Sequence, residues 1–412
     1  MTFGASESRA RRLGWPAALR SAPGALAARL DKLGVVVALV AAAALAFEPF
    51  VTLRPNRIAS GEGVAWFAAL PEPLAVSGAV VVVVAAAAAI VRSPAWARFA
   101  IAVAALLTVA YVVGETPSHL VGAGDALARV APAGAFWLLV FAFSILLTDA
   151  IARLELGPWR RLAVLAGAFA AIALFLASGR WRGLSVLKEY ATHADSFWNE
   201  AANHVELALA SLGAALLVGV PLGIACHAWP RLRDLALPVL NIVQTIPSIA
   251  MYGLMMAPLA LLAARVPLAA ELGVHGIGAA PALVALFLYS LLPVVGNTVV
   301  GLASVPAQSV EAARGMGMTA RQMLTGIELP LALPVILTGV RIVLVQNIGL
   351  VTIAALIGGG GFGVFVFQGI GQAAPDLVWL GAAPTIALAF CAAVILDAIV
   401  DLLKGAARDR SR

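Results

Sequence analysis

The sequence predicts an all-α, polytopic membrane protein with about ten transmembrane helices. Three observations carry that expectation. The chain of 412 residues is 62% hydrophobic and 12% charged, where soluble domains carry about 25% charged residues. Long uncharged runs of Ala, Val, Leu and Ile recur along it, and a bilayer-crossing helix needs about 20 such residues. Runs such as "AVVVVVAAAAAIV" (79–91) do not alternate apolar with polar residues, as strands of a membrane barrel would.

The candidate spans lie at about 33–49, 74–91, 99–114, 133–150, 162–178, 205–227, 236–261, 281–303, 333–357 and 377–403. The first also has the look of a signal peptide, with a basic leader and "ALA" at Ala44–Ala46. The leader is long for that role, so this span is read as retained. Cys226 and Cys391 both sit inside apolar runs. They read as small buried hydrophobes, not as a disulfide framework or a metal site.

Positive charge fixes the expected orientation. With both termini in the cytoplasm, nineteen Lys and Arg fall on the cytoplasmic side and seven outside, and Arg341 lies within a span. That excess obeys the positive-inside rule. It also accounts for the net charge of +6 through anionic lipid, with no nucleic acid as partner.

The expected organisation has five parts. Residues 1–32 form a basic cytoplasmic N-terminus. Residues 33–180 form a five-helix membrane region that carries no functional motif. Residues 181–204, within "GRWRGLSVLKEYATHADSFWNEAANH", read as a polar outer-face linker. Residues 205–404 form a second five-helix region with a cytoplasmic loop at 304–332, and 405–412 form a cytoplasmic tail. The second region is punctuated by Pro, Gly, Asn and Gln. Polar groups at membrane depth are expensive and mark functional or buried positions, so function is sought there.

The loop contains "EAARGMGMTARQMLTGIELP" (311–330). Pro306 suits the first turn of a helix continuing to Met316. Gly317 suits its stop. Thr319 and Gln322 spell a capping box that starts a second helix, with Met323, Leu324 and Ile327 on one face. Pro330 and Pro334 are expected to end it. From physics alone three readings compete: an interfacial helix on lipid, a docking knob for a cytoplasmic partner, or part of a pore.

The spacing E-A-A-x3-G-x9-I-x-L-P, here Glu311, Ala312, Ala313, Gly317, Ile327, Leu329 and Pro330, resembles the cytoplasmic signature of binding-protein-dependent ABC importer permeases. The resemblance implies that the loop is a coupling helix seated on a cytoplasmic ATPase. "VGVPLGIACHAWPRLRDLALPVLNIVQTIPSIAMYGLM" (218–255), "LYSLLPVVGNTVVGL" (288–302) and "TIAALIGGGGFGVFVFQGI" (352–370) are similar to osmoprotectant permeases, importers of glycine betaine, choline or carnitine. The five extra N-terminal spans resemble a longer subgroup of that family. The family implies a type I importer core of five helices in the inner membrane. It also implies two ATP-binding subunits, a second permease copy or homologue, and an extracytoplasmic substrate-binding protein. ATP and Mg belong to the partner ATPase and no cofactor to this chain, which has no Walker A sequence. Two rivals stand beside this reading. One is an importer of another small solute, such as the amino acid methionine. The other is a self-contained secondary transporter.

Candidate path residues are Asn241, Gln244, Thr245 and Ser248 around Pro247, together with Asn297, Gln346 and Asn347. Each has a second reading, since polar groups also satisfy carbonyls freed by proline. Gly358, Gly359, Gly360, Gly361 and Gly363 cannot form stable helix. They read as a re-entrant turn or a flexible gate. Arg341 and Asp397 lie at similar depth, about 10 Å from the cytoplasmic ends of their spans at 1.5 Å per residue. They are expected to pair. His204 and Glu206 are expected to be solvated at a span boundary.

Overall fold

Local sequence sets each helix, and the computed structural model describes residues 30–57, 59–122, 125 and 127–410. The expected N-terminal segment up to residue 29 and residues 411–412 lie outside the described residues. Among the described residues nine helices are long and apolar enough to cross a membrane. The chain divides into two compact units, each described by itself.

The first unit comprises residues up to Leu156 and Phe175–Leu184. Helix α1, Lys32–Phe47, has 16 residues and so runs about 24 Å, shorter than an ordinary span. Asp31 caps it, accepting from the Gly34 N–H at 3.0 Å. Strands β1 (Val51–Arg54) and β2 (Glu62–Val64), helices α2 (Glu72–Ile90) and α3 (Ala95–Leu120), strand β3 (Arg129–Pro132) and helix α4 (Gly134–Arg153) follow. The strands form one antiparallel sheet in the order β2-β1-β3, with Val51 opposite both Val64 and Pro132. Runs of three or four residues are too short to announce themselves by alternation, so the sheet was not foreseen. Phe50 and Trp66 pack with ring centroids 4.5 Å apart, and the Trp66 indole donates to the Ala75 carbonyl at 2.8 Å.

Four charges close one end of this unit. Arg98 is fully buried and lies 3.1 Å from both Asp31 and Asp149. Arg153 reaches the same two carboxylates at 3.1 and 2.9 Å. Two guanidiniums and two carboxylates balance, which is the condition for burying charge at all.

The second unit comprises 157–174 and 185–412. Its elements are α5 (Pro158–Ala177), α6 (Ser185–Ala228), α7 (Pro230–Thr245), α8 (Ser248–Arg265), α9 (Pro267–Glu271) and α10 (Ala279–Ala303). Then come α11 (Ala307–Gly315), α12 (Ala320–Met323), α13 (Leu329–Ala354), α14 (Gly363–Gly371) and α15 (Pro375–Arg410). The last residues of α5 belong to the first unit. Helix α10 packs against α6 and α13, and α13 against α15. Leu207, Tyr252, Leu286, Tyr289 and Val351 share one buried cluster. Leu217, Ile242, Ile386 and Phe390 face outward, as lipid-facing side chains do.

Three expectations are corrected here. The span at 236–261 is not one helix: Ile246 and Pro247 are extended, with ψ 128 and 137. The proline ring disfavours the helical conformation for the residue before it, and here the chain takes the extended alternative. The supposed linker 181–204 is helical, as a short 3₁₀ turn at Arg180–Gly183 and then the start of 44-residue α6. The segment is polar, but Leu, Lys, Glu and Ala are good helix formers. A kink at His193 (φ −118, ψ 19) divides this segment, and the residues after it run on into the apolar stretch. Finally, the second loop helix does not end at Pro330. It passes through a π-turn at Leu324–Glu328 directly into α13. The wider turn accommodates Pro330, whose ring in a regular helix would meet the carbonyl four residues back.

Candidate functional site

The loop 304–332 is an elbow of two helices. Pro306 stands at the N-cap of α11, and Met316 closes it with its N–H on the Ala312 carbonyl at 3.0 Å. Gly317 turns the chain at φ +79, a left-handed conformation that costs other residues about 1–2 kcal/mol. Thr319 and Gln322 then form the reciprocal capping box, Thr319 N–H to Gln322 Oε1 at 2.8 Å and Gln322 N–H to Thr319 Oγ1 at 3.4 Å. The signature residues divide by environment. Ala313 is buried inside the elbow, while Glu311, Ala312, Gly317 and Pro330 are exposed and Ile327 and Leu329 half-buried. Ala313 is therefore withdrawn from the loop surface, and Glu311 and Ala312 lie on it.

The expected path residues separate into two groups. Gln244 donates to the Tyr289 carbonyl at 2.6 Å. That is the carbonyl which Pro293, four residues on, leaves without its helical N–H. The Tyr289 hydroxyl in turn donates to the Ile246 carbonyl at the α7–α8 break. Asn297 donates to the Pro293 carbonyl at 2.8 Å and is pressed by α13, where a Cβ on Gly339 would come within 2.7 Å of the Asn297 Cβ. Asn347 is completely buried. It donates to Ser211 on α6 at 2.9 Å and to Ser290 on α10 at 3.0 Å, stapling three helices. Asn241 and Thr245, one turn apart on α7, are exposed, and Ser248 and Gln346 are half-buried. Tyr252 and Tyr289 are buried in the core and form no open aromatic cage.

The glycines form a tight turn between α13 and α14. Gly358, Gly360 and Gly361 have φ +78, +77 and +84. A Cβ on Gly363 would stand 1.8 Å from the Thr352 carbonyl oxygen, so side chains are excluded for reasons of conformation and of space. The turn is tied down. Gly278 N–H donates to the Ile357 carbonyl at 2.7 Å and Gly359 N–H to the Ala354 carbonyl at 2.9 Å. Gly361 N–H donates to Glu200 at 2.5 Å and Phe362 N–H to His204 Nδ1 at 3.2 Å.

His204 is fully buried, which overturns its expected solvation at a boundary; Glu206 is exposed. Only the packing of α6 against the glycine turn and α13 takes the imidazole out of water, and sequence offered no sign of it beyond an i, i+4 spacing from Glu200. Arg341 and Asp397 form an ion pair, and one turn along α15 Asp401 pairs with Arg161 at 2.9 Å.

Comparison with known proteins places these features in a family. Residues 216–408 match the model described as binding-protein-dependent transport system inner membrane component. Residues 31–187 match that of the ABC transporter permease YehY N-terminal domain. The osmoprotectant import permease protein OsmW of Salmonella typhimurium is 42% identical over 49% of this chain and 86% of its own length. The carnitine transport permease protein OpuCB of Listeria monocytogenes is 36% identical over 45% of this chain and 78% of its own. The glycine betaine/carnitine/choline transport system permease protein OpuCB of Bacillus subtilis is 34% identical over 51% and 87%. Among solved structures, the MetNI methionine ABC transporter is similar with a TM-score of 0.45 at 21% identity, over 52% of this chain and 98% of that one. The chain belongs to the binding-protein-dependent inner-membrane permeases, multi-pass subunits of ABC importers whose ATP hydrolysis resides on a separate subunit.

Proposed function

We propose that this permease imports osmoprotectants, small quaternary amines such as glycine betaine, choline or carnitine, and that loop 304–332 couples it to its ATPase. The elbow at Gly317 supports the coupling reading most directly. It presents Glu311 and Ala312 outward on a short helix whose partner arm runs without a break into membrane helix α13. A displacement of the knob is thereby delivered to α13 as rigid-body motion. The named substrates of the relatives support the cargo class.

The assembly is this permease with a second copy or homologue, two ATP-binding subunits and an extracytoplasmic binding protein. Both termini and the coupling loop face the cytoplasm, in keeping with the charge asymmetry. Closure of the ATPases draws the two loops together and opens the path outward, and hydrolysis reverses it. The path follows the α7–α8 junction, with Asn241 and Thr245 exposed and Ser248 half-buried. Tyr252 and Tyr289 are buried in the core, and selectivity for the quaternary ammonium is assigned to the binding protein. The domain frame is an N-terminal region at 33–180 and a core at 205–404.

The test is glycine betaine uptake by cells carrying the whole system, with Glu311→Ala and Gly317→Ala compared with wild type. Membrane association of the ATPase is followed in parallel. Loss of uptake together with loosened ATPase supports both parts. A wild-type system that retains the ATPase but moves no betaine, choline or carnitine defeats the cargo and leaves the coupling intact.

A further inference from the structure

Glu200 and His204 stand one helical turn apart on α6 and therefore share a face. That face meets two consecutive backbone amides of the glycine turn. Glu200 Oε2 accepts from Gly361 N–H at 2.5 Å, and His204 Nδ1 accepts from Phe362 N–H at 3.2 Å. The other ring nitrogen, Nε2, lies 2.9 Å from the Ile348 carbonyl on α13. A carbonyl only accepts, so Nε2 carries the proton and Nδ1 presents its lone pair. Both nitrogens are used, and the buried ring is held as one neutral tautomer between α13 and the turn. Phe362 lies against the imidazole with centroids 5.0 Å apart and against Phe197 at 5.4 Å.

Successive amides beside left-handed glycines form a concave donor pair that attracts anions and lone pairs. Here α6 fills it with a carboxylate and an imidazole from a single helix turn. The same contact crowds the turn, so that a side chain there would displace the α6 groups. A Cβ on Gly360 would come within 2.9 Å of Glu200 Oε2, and one on Gly361 within 3.0 Å of His204 Nδ1. The turn lies at the C-terminal end of α13 and the coupling elbow leads into its N-terminal end. A 26-residue helix separates them, about 39 Å at 1.5 Å per residue. Motion entering α13 at the elbow therefore arrives at a turn whose other attachment is α6.

We propose that Glu200 and His204 are positioning residues of the transport cycle, a latch that fixes the glycine turn to α6 so that movement of α13 opens or closes the far end of the path as a unit. Without the latch the turn yields, and ATP is spent without transport. The transport arm of this proposal rests on the import reading above; the latch itself does not.

The test uses full-length protein in lipid nanodiscs and four variants. His204→Asn retains an acceptor at the position of Nδ1 and loses Nε2; His204→Gln does the reverse. Glu200→Gln keeps an acceptor for Gly361, and Glu200→Ala removes it. Hydrogen exchange of the segment spanning the turn is expected to stay near wild type in His204→Asn and Glu200→Gln. It is expected to accelerate about tenfold in His204→Gln and Glu200→Ala, with the remaining helices unchanged. In proteoliposomes with the ATPase and binding protein, ATP hydrolysed per glycine betaine imported should rise in those same two variants only. Equal behaviour of His204→Asn and His204→Gln would overturn the proposal, because ring packing and not the Nδ1 acceptor would then matter. So would accelerated exchange throughout the chain, or a loosened turn with unchanged stoichiometry. If wild type carries no glycine betaine, the cargo reading fails, and the exchange comparison still decides the latch.

Discussion

Gln244 and Tyr289 form a two-way clip between α7 and α10. The Gln244 amide donates to the Tyr289 carbonyl and the Tyr289 hydroxyl donates to the Ile246 carbonyl. The first bond repairs what Pro293 removes from α10; the second secures the chain where Pro247 breaks it. Gln244→Ala should destabilise the protein by about 1–2 kcal/mol. Pro293→Ala restores the missing N–H, so Gln244→Ala should cost measurably less in that background. Denaturant unfolding of the four proteins as a double-mutant cycle checks the coupling; additive effects would reject it.

The Arg341–Asp397 pair links α13 to α15 within the membrane. Arg341→Gln or Asp397→Asn alone leaves one charge without its partner at depth, with an expected loss of about 1–3 kcal/mol. The double variant removes both charges and should recover most of that. The yield of folded protein extracted from membranes, followed by thermal unfolding, reads the difference.

Asn347 should behave as a staple. Ser211 and Ser290 keep bonds to the Leu207 and Leu286 carbonyls in their own helices, so Asn347→Ala loses chiefly the inter-helix bonds. A fall in stability of about 1–2 kcal/mol is expected, with the KM for uptake unchanged. A changed KM at normal stability would return Asn347 to the path.

The elbow predicts unequal effects within one loop. Gly317→Ala forces a side chain into the left-handed region at about 1–2 kcal/mol and alters the angle between the arms. Thr319→Ala removes the cap at about 1 kcal/mol and leaves the angle. ATPase stimulation in the assembled transporter should therefore fall further in Gly317→Ala.

Asp31 gives the first unit an acid limit. Burial alone raises its pKa. The Gly34 N–H and then the Arg98 and Arg153 charges outweigh that and hold the carboxyl below its usual range. A depressed carboxylate contributes stability that is fully present above its unfolded pKa, roughly 4, and is lost as the pH falls through the lower folded value. Acid unfolding of wild type should show that loss, and Asp31→Asn should be less stable at neutral pH with a flatter acid limb. Circular dichroism against pH checks it.

Much of the elbow at 304–332 was legible, because its signals are local. A proline start, a glycine stop and a capping box each act within four residues. Arg341 and Asp397 could be matched by counting residues from the membrane edge. The proline break at 246–247 is legible too, yet the long apolar run around it has the length of a single span. The sheet of the first unit escaped because its strands are too short to show a period.

Sequence by itself determined the membrane class, the charge asymmetry and the elbow, since hydropathy, charge and capping act over a few residues or one span. Tertiary structure alone decided what each polar side chain does. Gln244, Asn297 and Asn347 looked alike as polar residues in apolar helices, and His204 looked like a solvated boundary residue. Which carbonyl lies opposite, and whether water can reach, depends on helices far apart in the chain, and no short-range pattern records it. The packing of α6, α10 and α13 makes Asn347 a staple. The packing of α6 against α13 and the glycine turn takes His204 from solvent into a latch.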